Sequence, residues 1–118
     1  MPHPSSPLET VAVGDVTVIR FTQRSLLGPD LVETLAQQML HAVEEMGRTK
    51  LVLNFSNVES MTTAMVGKLV HLKKKIEAAG GRLVLCRLDP FLLQIFKVLN
   101  LADAFSICDD EPAALGSF

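Results

Sequence analysis

The sequence predicts an α/β domain built on a small mixed sheet of about five strands, with three to four helices. Three observations point there. Strand-like and helix-like segments alternate along most of the chain. Leu51-Val52-Leu53 and Leu83-Val84-Leu85 are apolar at every position, as befits strands covered on both faces. The intervening segments instead repeat their apolar residues at helical spacing. A chain of 118 residues, 48% hydrophobic and 20% charged, supports one domain with its own core.

Residues 1–8 are rich in proline and serine and read as a disordered leader, with the domain over 9–118. Val11 and Val13 alternate with polar or small neighbours, Gly14-Asp15 is a turn, and Val16-Thr-Val-Ile-Arg-Phe21 has strand composition, so the fold opens with a hairpin. Gly28-Pro29-Asp30 starts a helix, because proline suits the first helical position and an early aspartate complements the dipole. Leu31, Leu35, Met39, Ala42 and Met46, flanked by Val32 and Val43, form its buried stripe, and Gly47 ends it.

After the strand Lys50–Phe55 comes a polar turn, Ser56 to Met61, and then a helix opened by Thr62-Thr63. Met65, Leu69, Leu72 and Ile76 line its inner stripe, beside Val66 and Val70, while Lys68, His71, Lys75 and Glu77 point away. Gly80-Gly81 stops it, and Arg82–Cys86 is another buried strand. Asp89 caps a third helix with Pro90 in its first turn, running to about Asn100. Phe105-Ser-Ile107 is a short last strand, and Asp109 to Leu115 form a closing turn of helix.

Composition excludes several functions. The net charge of −2, with both signs interspersed, offers no basic face for nucleic acid. Lys73-Lys74-Lys75 fan out around a helix as a solvated face. No apolar run approaches the roughly 18 residues of a membrane span. Cys86 and Cys108 match no zinc or C-x-x-C spacing and read as small buried hydrophobes in a cytoplasmic protein. His3, His41 and His71 have no nucleophile placed beside them, so neither an enzyme, a metal nor a cofactor is expected. A receiver domain would need a carboxylate acceptor where this strand ends in Asn54, with further acids to hold magnesium.

The segment Asn54-Phe-Ser-Asn-Val-Glu-Ser-Met-Thr-Thr-Ala-Met-Val-Gly67 resembles the signature loop and helix start of STAS domains, the fold shared by anti-sigma factor antagonists and sulphate-transporter tails. Ala79-Gly-Gly-Arg-Leu-Val-Leu-Cys86, Asp89-Pro90 through Leu101, and Phe105-Ser-Ile107 are similar to that family's later elements. The resemblance spans about residues 9–115 and implies a small mixed sheet with helices packed mainly on one side. It also places Thr63 where the family carries its phosphorylatable serine or threonine. Thr62 replaces the family's aspartate, Ala64 its second serine, Met65 its glycine, and Asn100 a common glycine.

The residues alone give Thr62-Thr63 two compatible roles: Thr62 caps the helix and Thr63 offers a hydroxyl, at a place where a phosphate is tolerated locally and displayed. The resemblance adds a phosphorylation-controlled interaction switch. It implies a serine/threonine kinase-type anti-sigma factor as partner and kinase, and a phosphatase that resets it. Ser60, Met61, Thr62, Ala64, Met65 and Lys68 would form the docking surface on a monomer or weak dimer. Alternatives are an unphosphorylated STAS scaffold and a nucleotide- or small-molecule-binding module. The third helix, apolar at Phe91, Leu92, Leu93, Ile95, Phe96, Val98, Leu99 and Leu101, is expected to bury deeply, the alternative being an apolar docking patch.

Overall fold

A computed structural model describes residues 6–118. The elements run β1 (Leu8–Val13), β2 (Val16–Phe21), β3 (Ser25–Leu26), α1 (Pro29–Glu44), β4 (Lys50–Asn54), β5 (Ser60–Met61), α2 (Thr63–Ala78), β6 (Arg82–Cys86), α3 (Pro90–Val98), β7 (Ser106–Cys108) and α4 (Glu111–Leu115). Five strands make one sheet in the order β1-β2-β4-β6-β7. β1 pairs antiparallel with β2 across the Gly14-Asp15 turn, with Val13 opposite Val16, and every other neighbour in this sheet is parallel. The predicted mixed α/β fold is therefore present, with β7 one residue later than expected.

Alternation along the strands divides the core in two. Ile19, Phe21, Leu51, Leu53, Leu83 and Leu85 face α1, α2 and α3 in the larger cluster. Val18, Val52, Val84 and Cys86 face the other way, where α4 covers them through Ala114 and Leu115. This two-sided coverage is why β4 and β6 read as continuous apolar runs. Three helices lie on one face and the shortest on the other.

Three expectations need correction. Residues 1–5 lie outside the described residues, but the last part of the expected leader belongs to the fold. Leu8 pairs with Phe21 in β1, and Thr22 bonds to the carbonyls of Ser6 and Pro7. Met46 is 56% exposed, because α1 ends at Glu44 and Gly47 turns the chain with φ +67. The buried stripe stops one turn short of Met46, and its buried set is Val32, Leu35, Ala36, Met39 and Val43. Finally, α3 buries only Leu92 and Phe96, leaving Phe91 67% and Val98 69% exposed.

A further feature had no sequence signal. β3 and β5 form a separate two-stranded parallel sheet, pairing Ser25 with Ser60 and Leu26 with Met61. Two turns show what the backbone demands. Asn100 adopts φ +57, a left-handed conformation that asparagine tolerates better than most residues. A Cβ on Gly81 would lie 2.0 Å from the carbonyl oxygen of Thr49, so only glycine lets β6 start so close to the chain entering β4.

Candidate functional site

The site begins with the chain leaving β4. Its course from Phe55 to Thr62 is pinned at successive points. The Phe55 amide bonds to the Cys86 carbonyl, the Val58 amide to the Phe55 carbonyl, and the Asn57 side-chain amide to the Phe21 carbonyl. Glu59 and Ser60 donate to the Arg24 carbonyl and Thr62 to that of Leu26. Phe21 and Phe55 pack beneath as a tilted pair with ring centroids 4.8 Å apart. A loop with its backbone groups paired in this way is a preorganised surface.

Thr62 then caps α2: its hydroxyl oxygen accepts from the Met65 amide at 3.2 Å. This leaves the amides of Thr63 and Ala64 as the unsatisfied donors of the first helical turn. Thr63 and Ala64 are both exposed, and no acidic residue occupies that turn. A negative group on the Thr63 hydroxyl would thus sit at the positive end of the helix dipole with no acidic repulsion from the turn itself.

The other candidate residues divide by burial. Ser60 is half-buried, and its hydroxyl lies 3.2 Å from that of Ser25. Lys68, one helical turn along α2, is half-exposed and held at 2.9 Å from Glu33 of α1, which pulls the Glu33 carboxyl below its ordinary range. Met61 is 5% exposed and Met65 fully buried. These two methionines are core residues that anchor the loop, so a partner docking on the surface cannot reach them. The accessible set is Ser60, Thr62, Thr63, Ala64 and Lys68.

Beside Thr63 lies what the sequence left undecided. Phe91, Gln94, Ile95, Val98 and Leu99 of α3 and its C-terminal cap line, with Thr63, an open groove of about 220 Å³ that is almost wholly apolar. Phe91, Ile95 and Val98 follow i, i+4, i+7 spacing, so they form one stripe along α3, about a third of a turn around from the face anchored by Leu92 and Phe96. Phe96 is fixed from below by an edge-to-face contact with Phe105 at 5.4 Å. Exposed Thr63 and the apolar stripe border the same groove.

A second polar cluster supports the loop from the other sheet face. Glu111, the first residue of α4, accepts from Arg20 at 2.7 and 2.9 Å and from the Asn54 side-chain amide at 2.8 Å. Asn54 in turn accepts from the Ser56 amide at 2.8 Å. The Arg20 guanidinium holds the Glu111 carboxyl below its usual range, and the carboxylate raises Arg20 in return. The clamp ties β2, β4 and α4 together where the loop to Thr63 starts. Its residues are up to 91 positions apart, so only the polar Asn54 at an apolar strand end hinted at it.

Strand order, helix placement and an exposed threonine on the first turn of α2 define a small α/β domain with one loop tied closely to its sheet. The chain belongs to the STAS domain family, whose sequence profile matches residues 8–114. Among curated relatives, BtrV of Bordetella bronchiseptica, a candidate anti-sigma factor antagonist, is 24% identical over 79 residues, covering 67% of this chain and 68% of its own. Among solved structures, a candidate anti-sigma factor antagonist from Thermotoga maritima superposes with a TM-score of 0.83 at 21% identity, covering 93% of this chain and 92% of that one. SpoIIAA from Bacillus, in its phosphorylated form, superposes with a TM-score of 0.69 at 22% identity, covering 94% of this chain and 99% of that one. These likenesses show the fold. No helix among the described residues is long and apolar enough to cross a membrane.

Proposed function

We propose that this domain is a phosphorylation-controlled protein-interaction switch of the anti-sigma factor antagonist type. In this reading the unmodified domain binds a serine/threonine kinase-type anti-sigma factor in the cytoplasm. The kinase transfers the γ-phosphoryl of ATP to the Thr63 hydroxyl, and a phosphatase removes it. The domain is then a substrate and not an enzyme.

The observation that carries the reading is the juxtaposition of the exposed Thr63 with the apolar groove of α3. A partner that fills the groove must cover Thr63. A phosphate adds up to about two negative charges and three acceptor oxygens at the rim of that apolar surface, where covering it would strip its water. Binding and phosphorylation then exclude one another. The relatives support this assignment through their names, and SpoIIAA through having been solved phosphorylated. Ser60, Thr62, Ala64 and Lys68 complete the docking surface.

Incubation with the kinase-type anti-sigma factor of the same organism and ATP tests it. Intact mass should rise by one phosphate, and Thr63→Ala should abolish the gain. An unchanged mass in the wild-type chain, with the partner still bound, would favour an unphosphorylated scaffold. The replacement of the family's aspartate and second serine by Thr62 and Ala64 fits that second reading.

A further inference from the structure

Cys86 and Cys108 stand apart from the docking surface. They end neighbouring parallel strands, β6 and β7, and the register pairs them directly. In-register residues on parallel neighbours project from the same face of the sheet, and both thiols contribute to the cluster beneath α4. Both are free; Cys86 is buried and Cys108 half-buried.

We propose that Cys86 and Cys108 form a reversible dithiol–disulfide pair, closed by a peroxide and reopened by a small thiol. Paired residues on adjacent strands have α-carbons about 4.8 Å apart, inside the range of about 4.4–6.8 Å that a disulfide requires. Their β-carbons start near the same spacing, slightly beyond the ~3.8 Å that a disulfide prefers, so one strand must close in. β7 can do so: it is an edge strand of three residues, all half-buried, whereas β6 is held on both sides. A bond formed with such an adjustment is strained and readily reduced, which suits a switch better than a permanent staple.

Exposure assigns the roles. Cys108 meets the peroxide first. Its thiolate attacks one peroxide oxygen, an S–O bond forms, the O–O bond breaks, and hydroxide leaves to be protonated as water. The Cys86 sulfur then attacks the Cys108 sulfenic acid, the S–S bond forms, the S–O bond breaks, and a second water departs. Two thiols and one hydrogen peroxide give one disulfide and two waters, with two electrons passing from sulfur to peroxide. Burial, reinforced by the Glu111 carboxylate, pushes the Cys86 thiol up to about 11, so Cys86 is not the first attacker. Closure draws β7 inward, and with it the Asp109-Asp110 turn that carries Glu111 to Arg20 and Asn54.

The test is intact mass and non-reducing peptide mapping of the full chain after brief treatment with hydrogen peroxide. The wild-type mass should fall by about 2 Da as two thiol hydrogens are lost, the Cys86 and Cys108 peptides should be joined, and dithiothreitol should restore the starting mass. Cys108→Ser, which changes only a half-buried edge position, should abolish the loss. Cys86→Ala should leave Cys108 able to gain oxygen but unable to form the internal bond. Oxygen added to Cys108 without the 2 Da loss, an unchanged mass, or linkage between two chains would each overturn the proposal.

Discussion

Thr62 and Thr63 are adjacent and chemically identical, yet the backbone gives them different work. Thr62 turns its hydroxyl inward to an amide of its own helix, while Thr63 is exposed on the first turn. Removing the cap with Thr62→Ala should cost about 1 kcal/mol, read as a fall of roughly 4 °C in thermal midpoint. Thr63→Ala should leave the midpoint nearly unchanged. Glu111 offers a second test. Its folded-state pKa is lowered, so its contribution is complete above the ordinary carboxylate range and is lost as pH falls through the folded value. Urea unfolding should show Glu111→Gln less stable than wild type by a constant margin above about pH 5, with the margin shrinking in acid. A pH-independent margin would mean that the ion pair with Arg20 contributes nothing through charge.

Elements whose limits depend on local chemistry were legible in the sequence. Pro29, Asp89-Pro90 and Thr62 mark helix starts because capping involves residues within one turn. The β3–β5 pair was not legible: two-residue strands have no period, and only long-range pairing fixes them. The case of α3 shows a different limit. A nine-residue helix apolar on most sides must leave part of its surface off the sheet, and the sequence does not say whether anything covers it. In this fold nothing among the described residues covers Phe91 and Val98. Replacing Val98 with Ser should therefore change stability by less than about 0.5 kcal/mol. If the groove receives the partner, the same change should weaken binding roughly tenfold, a loss of about 1.4 kcal/mol measurable by calorimetry. Unaltered affinity in the Val98 and Phe91→Ser variants would place docking elsewhere.

At the scale of the molecule, the parallel strands β2, β4 and β6 deliver their carboxyl ends to one edge, and the loops there carry the groups that matter. The Arg20–Glu111–Asn54 clamp and the hydrogen bonds from Phe55 to Thr62 hold the Thr63 loop to the sheet. If Thr63 is phosphorylated as proposed, the phosphate on such a scaffold would act through charge and bulk at the surface, with no rearrangement of the core. Modified and unmodified protein should then give the same far-ultraviolet circular dichroism. The fold and the place of Thr63 at the start of α2 could be read from sequence, whereas the depth of Met61 and Met65 could not, since loop and helix-start methionines look alike whether they face a partner or the core.

The most direct measurement is the affinity of the kinase-type anti-sigma factor for this domain before and after phosphorylation at Thr63, titrated by calorimetry with a non-hydrolysable ATP analogue. The account predicts a loss of at least roughly tenfold, or about 1.4 kcal/mol, on phosphorylation. Equal affinities for the two forms would contradict it.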